Sequence, residues 1–418
     1  MAACGLDFGT SNTTLGAAAP DRTRLVSLEG DHTTLPSALF FDFAGDATVF
    51  GRAAVAAYAE GEDGRLMRSI KSVLGTDLID ADTTLNGRRI AFRAVIATFL
   101  GEVRRRGERA AQAPLDAVVH GRPVHFVDGD PAADAAAEAV LAEIARAVGF
   151  ADVSFQYEPI AAALDYERRV DGEELALIAD IGGGTSDFSI VRLGRERRGR
   201  AERGDDILAN DGIRVGGTDF DRDLSIAAVM PHLGYGSPMK RAGLVAPRAP
   251  FLDLATWSKI NFLYTAKALA ELKRLHRDSA RPDLIARLIG VVEQRRGHAL
   301  AMEVERAKIA LSGSPRTVLP LDFEDASEAA ELAARDLVEA TGSLAARIGG
   351  RIDACLAMAG LPAGRIDAVF LTGGSTLLPH VRAAITDPLP DARVVTGDTF
   401  GSVGQGLTLE AQRRYGTA

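Results

Sequence analysis

The chain lacks the residues that staple small secreted domains: its 418 residues include two cysteines, Cys4 and Cys355. That pair supplies neither a disulfide framework nor a thiolate metal cage. Lysine is nearly as scarce, with arginine outnumbering it 42 to 6, so each lysine position is informative. No uncharged apolar run approaches the ~20 residues that span a bilayer. The opening MAACGLDFGT has neither the charged nor the apolar region of a secretory signal. Basic excess is missing too: 48 Lys and Arg against 57 Asp and Glu leave −9, which argues against nucleic-acid binding through net positive charge. These absences lead us to expect a soluble cytoplasmic protein in a reducing compartment, with no membrane or nucleic-acid partner.

Several catalytic signatures are absent. There is no G-x-x-x-x-G-K-[ST], which excludes a P-loop enzyme, and no G-x-G-x-x-G, which disfavours a Rossmann dinucleotide site. G-x-S-x-G is missing, against a lipase-like hydrolase. The seven histidines are scattered without H-E-x-x-H or paired cysteines, so no zinc site is expected.

What is present is ordinary in composition, 47% hydrophobic and 25% charged, as in globular proteins with a substantial core. The length, about three times the commonest domain, favours two lobes. Residues Ala3–Phe8 read as a strand, Gly9–Asn12 as a turn and Thr13–Ala18 as a returning strand. Leu39–Phe43 is a further short strand, and Ile90–Arg106 has helical spacing. From residue 115 the pattern becomes strand Leu115–His120, helix Ala132–Val148, strand Val153–Gln156 and helix Ile160–Arg168, a layered α/β arrangement. A second hairpin follows, Leu175–Asp180 and Phe188–Leu193 around a glycine turn. Asp221–Ser312 is mostly helical, interrupted by a Pro/Gly-rich stretch from Pro231 to Pro250. Then come strand Thr317–Leu321, a helix over Ala326–Ala359 broken around Gly349-Gly350, strand Asp367–Leu371 and a last helix ending near Tyr415. Trp257 belongs either to a core or to an interface.

The sharpest feature is a doubled motif. DFGTSN (Asp7–Asn12) and DIGGGTSD (Asp180–Asp187) each run strand, aspartate, glycine turn, hydroxyl, strand, 173 residues apart. Turns without side chains let backbone N–H groups approach a phosphate. The neighbouring hydroxyls can donate to phosphate oxygens, and an aspartate at the strand end can hold hydrated Mg²⁺. Alone, each motif is equally an ordinary hairpin turn; as a matched pair they point to phosphate. A third turn, LTGGST (Leu371–Thr376), lies between a strand and a predicted helix, and helix N-termini suit anions.

These motifs, with EPIAAALDYE (Glu158–Glu167), VGGTDFD (Val215–Asp221) and ERAKIALS (Glu305–Ser312), resemble the nucleotide-binding domain of the seventy-kilodalton heat-shock chaperones. GRPVHF, FQYEPIAAALDYE and DTFGSVGQGL are similar to the YegD-type branch, chaperone-like proteins without the usual second domain. The resemblance implies an actin-like ATPase fold: two duplicated α/β lobes with inserted subdomains and a central nucleotide cleft. Lobe I would be residues 1–170 with an insertion at about 30–108, completed by 396–418. Lobe II would be 171–395 with a helical insertion at about 221–312.

The resemblance also implies roles. Asp7 and Asp180 would bind Mg²⁺ through water, while Gly9, Thr10, Ser11, Asn12, Gly182, Gly183, Gly184 and Thr185 would cradle the β- and γ-phosphates of ATP or ADP. Asp187 would act indirectly. Lys71 would reach the γ-phosphate and the attacking water, although Arg68 and Lys71 at i,i+3 also suit a surface helix. Glu158 would lie near that water, although glutamate before Pro159 also complements a helix N-terminus. Glu305, Lys308 and Ser312, at i, i+3 and i+7, would present one helix face to the ribose and base; Glu305 and Lys308 equally suit a solvated ion pair. Gly216, Gly217, Gly373, Gly374 and Ser375 would complete the ribose and phosphate contacts.

Departures from the family pattern are specific. The two arginines that sandwich adenine are matched here by Ile309 and Leu377. Asn12 replaces a tyrosine. VHFVDGDPAAD after Pro123 lacks the arginine that couples nucleotide to the peptide domain, and we expect a protein without the family's interdomain linker and peptide domain after Thr417. The expectation is a slow Mg-dependent ATPase, converting ATP and water to ADP and phosphate. It would be a monomer rather than a filament, acting on a protein partner or client. A non-catalytic nucleotide-dependent scaffold and an actin-like filament former are the alternatives, and a sugar kinase ranks last.

Overall fold

The computed structural model describes residues 2–19, 22–198, 200, 203–323 and 326–416; residues 417–418 of the expected closing segment lie outside it. Two compact bodies are distinguished. One comprises Met1–Gly216, Arg347–Thr376 and Val381–Ala418, the other Gly217–Ala346 and Leu377–His380.

In the first body, Ala3–Phe8 (β1) and Asn12–Ala19 (β2) form the expected hairpin, extended antiparallel by Arg22–Leu25 (β3). On its other side β1 runs parallel to Ala117–Arg122 (β4), which runs parallel to Asp152–Tyr157 (β5). A second sheet repeats the plan. Glu174–Ile181 (β6) and Ser186–Leu193 (β7) form a hairpin, and Ile207–Ile213 (β8) continues it antiparallel. Ala368–Thr372 (β9) and then Arg393–Thr396 (β10) extend it in parallel. The strand orders are β5-β4-β1-β2-β3 and β10-β9-β6-β7-β8, so the doubled motif sits in a doubled topology. The family's mixed α/β class is met, with several mixed sheets among helices.

Alternation along β1 explains its burial. Cys4, Leu6 and Phe8 are fully buried in one core with Val95, Phe99 and Val103 of the helix Phe92–Ala111. Ala3 and Val119 belong to another, with Ala161 and Ala162 of the helix Glu158–Glu167 and Leu407 and Ala411 of the helix Ser402–Tyr415. These two helices approach at Gly406, where a Cβ would lie 1.7 Å from the Ala161 carbonyl oxygen. The helix that begins with Glu158 is thereby fixed against its neighbour.

Two expectations are corrected. Residues Ala326–Ala333 form a strand antiparallel to Arg316–Phe323, and only from Ala334 does a helix begin. It then runs unbroken to Ala359 through Gly349 and Gly350. ASEAAELA has high helix propensity, and strand pairing overrides it. Gly349 serves close packing: a Cβ there would lie 3.0 Å from the Ala384 carbonyl. The strand expected at Leu39–Phe43 is present as Ala38–Asp42; the sequence reading passed over its partners Ala47–Phe50 and Gly64–Arg68, the hairpin Asp82–Leu85 with Arg88–Ala91, and β8 and β10.

The second body holds the helices Gly217–Ala228, Ala249–Ala255, Ala266–Asp278, Pro282–Glu293 and Gly297–Leu311, as the helical pattern predicts. Trp257 is buried in it. No helix among the described residues is long and apolar enough to cross a membrane.

Candidate nucleotide site

The two glycine turns face each other within the first body. A Cβ on Gly183 would lie 2.3 Å from Ser11 Oγ, and one on Gly184 would lie 2.6 Å from Thr10 Oγ1. A Cβ at either position would have to displace the facing hydroxyl, so glycine lets the two turns lie this close. Gly216 backs the second turn, its would-be Cβ 2.5 Å from the Gly184 amide nitrogen.

Each turn is pinned from outside. The Ser37 hydroxyl donates to Gly9 O (2.6 Å), and its N–H donates to Ser11 O (2.9 Å). In the second turn Gly182 N–H donates to Thr185 O (2.9 Å), and the Ser375 hydroxyl donates to Gly182 O (3.1 Å). The LTGGST turn therefore joins this site. Gly373, at φ +81°, would place a Cβ 2.7 Å from Asp180 Oδ1, and Gly374 opens a short 3₁₀ turn to Leu377. Asn12 begins β2 opposite Pro36.

The carboxylates stand at equivalent places. Asp7 pairs across its hairpin with Thr14, and Asp180 with Asp187. Lys71 lies between β3 and β4, and not on the surface helix that Arg68 and Lys71 suggested. Strand Gly64–Arg68 ends, Ser69 turns the chain at φ 56°, and a 3₁₀ turn over Ile70–Val73 carries Lys71 inward. The side chain is 7% exposed, and its ammonium lies 2.7 Å from Glu158 Oε1. Glu158 opens its helix as the Pro159 signal predicts, but it does so as the partner of a buried lysine.

One ammonium therefore faces four carboxylates. Burial and Glu158 push Asp7 up to about 7, with Lys71 pulling the other way. Burial and Glu158 likewise push Asp187 up to about 7, against the Val124 N–H, the Thr185 hydroxyl and Lys71. Asp180 is raised well above the ordinary range by burial and by Glu158, Asp187 and Asp7. Burial lowers Lys71, but Glu158 and Asp7 outweigh it and hold the ammonium charged. Asp187 Oδ1 accepts from Val124 N–H at 2.6 Å, while its buried Oδ2 makes no hydrogen bond within 3.5 Å among the described residues. Such a cluster calls for a cation. Among the described residues no three His, Cys, Asp or Glu side chains are disposed to hold a metal directly.

The sequence reading missed three contributors here: Ser37, the Val124 amide and His120. His120 is fully buried between the rings of Phe8 and Phe155 and donates from Nδ1 to Gly121 O (2.8 Å). Burial lowers it to about 4, so it is neutral. A buried histidine among aromatic rings carries no motif, and a backbone amide has no residue-type signal.

The second body holds the remaining candidates. Lys308 is buried, 2.6 Å from Asp221 Oδ1, and donates to Gly217 O at 3.0 Å. It is thus no solvated partner of Glu305, which is half-buried. Trp257 Nε1 donates to Asp221 Oδ2 (3.4 Å). Ser312 caps the helix end, its hydroxyl donating to Ile309 O (2.6 Å), instead of lying within the helix face. Ile309 and Leu377 are 61% and 50% exposed.

The sequence profile of the Hsp70 protein family matches residues 3–230 and 291–394, so the chain belongs to the Hsp70 family. It is 26% identical over 395 residues to "Chaperone protein DnaK" of Elusimicrobium minutum, covering 92% of this chain and 53% of that protein. It is 29% identical over 285 residues to the "Chaperone protein HscA homolog" of Vibrio parahaemolyticus, covering 62% and 42%. The homologue of Vibrio campbellii aligns with the same identity and coverage. The chain spans about half the length of the curated relatives it matches.

Proposed function

We propose that this chain binds ATP with Mg²⁺ at the facing hairpins and hydrolyses it slowly, and that the nucleotide state controls a surface for a protein partner or client. The observation that carries this reading is the gathering of Asp7, Asp180, Asp187 and Glu158 around the single ammonium of Lys71, beside two glycine tips that touch. The proposal includes two lobes, 1–170 with 396–418 and 171–395, each built on one of the duplicated sheets.

The donor set fits a hydrated Mg²⁺ on a phosphate chain. Asp7 and Asp180 would hold it through water, with Asp187 Oδ2 a further acceptor for its water shell. The ion supplies charge neutralisation on the phosphates and on the leaving oxygen. Amides of residues 9–11 and 182–185, with the Thr10, Ser11 and Thr185 hydroxyls, would grip the β- and γ-phosphate oxygens. Lys71 would share its ammonium between Glu158 and the γ-phosphate, offsetting charge as the terminal bond lengthens. Glu158 would orient the attacking water. Water oxygen bonds to the γ-phosphorus, the bond to the ADP oxygen breaks, and ADP and inorganic phosphate leave. Glu305, Lys308, Ser312, Gly217 and Leu377 are proposed for the nucleoside, Lys308 by fixing the backbone at Gly217.

Phosphate release from monodisperse protein with Mg-ATP, run beside Asp180→Ala, tests this. Turnover that falls to background in the variant supports an ATPase using this site; equal turnover removes Asp180 from it. ATP binding without turnover in either protein would favour the second reading, a nucleotide-dependent scaffold. The exposed Ile309 and Leu377, in place of two stacking arginines, motivate that reading. ATP-dependent pelleting would instead favour a filament former.

A further inference from the structure

We infer that Arg122, immediately before Pro123, is a positioning residue for the carboxylate cluster, its guanidinium holding the peptide that presents Val124 N–H to Asp187. The inference rests on the nucleotide-site reading only for its kinetic consequence. Val124 is held at both ends of its amide system: its N–H donates to Asp187 Oδ1 at 2.6 Å, and its carbonyl accepts from Arg122 Nη2 at 3.1 Å. The preceding carbonyl, of Pro123, accepts from Arg122 Nε at 3.0 Å. One side chain therefore grips two consecutive peptides between β4 and the next helix.

The guanidinium is itself fixed. Arg122 is 8% exposed, and its charge is met by two acids of the helix Pro131–Ala147. Nη2 donates to Asp134 Oδ2 at 2.5 Å, and Nη1 donates to the Glu138 carboxylate. Asp134 also accepts from Phe126 N–H at 2.5 Å, closing the loop on itself. The planar group lies 5.2 Å from the Phe126 ring centroid and 5.0 Å from that of Tyr157, the residue before Glu158. A fork with five donors and a flat face meets this set of partners, which a lysine ammonium cannot.

The test uses the full chain with Arg122→Lys and Arg122→Leu, the lysine variant standing alone if the leucine variant does not fold. Hydrogen exchange is read at the Val124 amide and, for comparison, at the Val118 and Val119 amides of β4. Both variants are expected to exchange at least tenfold faster at Val124, with Val118 and Val119 unchanged. A uniform rise at all three amides, wild-type protection at Val124, or full rescue by lysine would each overturn the inference. Kinetically, kcat should fall at least tenfold while KM for Mg-ATP moves less than threefold; unchanged kcat would also overturn it. Absence of turnover in the wild type would sink the ATPase reading, and the exchange measurement would still decide the role of Arg122.

Discussion

Lys71 shows how much one side chain determines at this site. Its ion pair with Glu158 is buried, and removing one partner of such a pair costs about 3–5 kcal/mol because the other charge is left uncompensated. Lys71→Ala is therefore expected to lower thermal stability measurably and to abolish phosphate release, whereas a double Lys71→Ala, Glu158→Gln variant should regain stability without activity. The raised acids give a second expectation. Between pH 4 and 7 the native protein keeps protons on Asp7 and Asp187 that the unfolded chain has released. Each therefore lowers stability as pH rises. His120, neutral in the native state down to about 4, acts in the opposite direction between pH 4 and 6.5. A cation satisfies the ionised acids, so the rise in Tm on adding Mg-ATP should be larger at pH 7.5 than at pH 5.5. A rise independent of pH would remove these carboxylates from the ligand site. At the nucleoside end, Ile309→Arg is expected to tighten ATP binding by about 2- to 30-fold, the range of a cation–π contact. Unchanged affinity in a binding titration would detach Ile309 from the base. The matched placement of Asp7 and Asp180 before two glycine turns was legible because apolar strand, aspartate and glycine turn follow one another in local sequence. The partner of Lys71, 87 residues away, and the Val124 amide were not, because ion pairs across the fold and backbone donors leave no mark in local sequence.

Elements were read best where local pattern and tertiary demand agree. β1 and β6 are short apolar runs that end in aspartate and glycine, and both appear where expected, flanked by their turns. The segment Ala326–Ala333 shows the opposite case: a helix-favouring composition is held as a strand by pairing with Arg316–Phe323. β8 and β10 were invisible for a related reason, since ILANDGI and RVVT are ordinary loops until a sheet edge receives them. At Gly406 the helices Glu158–Glu167 and Ser402–Tyr415 approach too closely for any Cβ. Gly406→Ala is expected to destabilise the protein by about 1–3 kcal/mol, the usual cost of overpacking. Thermal denaturation checks this; a Tm within a degree of wild type would mean the helices separate freely. Because one of these helices begins with Glu158, kcat should fall in the same variant.

Across the whole molecule, the two sheets use hairpins for their antiparallel halves and distant segments for their parallel halves. β1 waits for residues 117–122, and β6 waits for residues 368–372. The apolar face that includes Ala3 and Val119 is covered by Leu407 and Ala411 near the other end of the chain. A chain ending at residue 401 is accordingly expected to lose cooperative unfolding and to aggregate; a soluble protein with a wild-type melting transition would contradict that. The same arrangement governs the order of synthesis. Between translation of β5, which completes the first sheet's strands, and of the 402–415 helix lie nearly 250 residues, about 12–50 s at ordinary elongation rates. For that interval the first sheet has its strands but not the helix that covers Ala3 and Val119, and its apolar face stays open to non-native contacts.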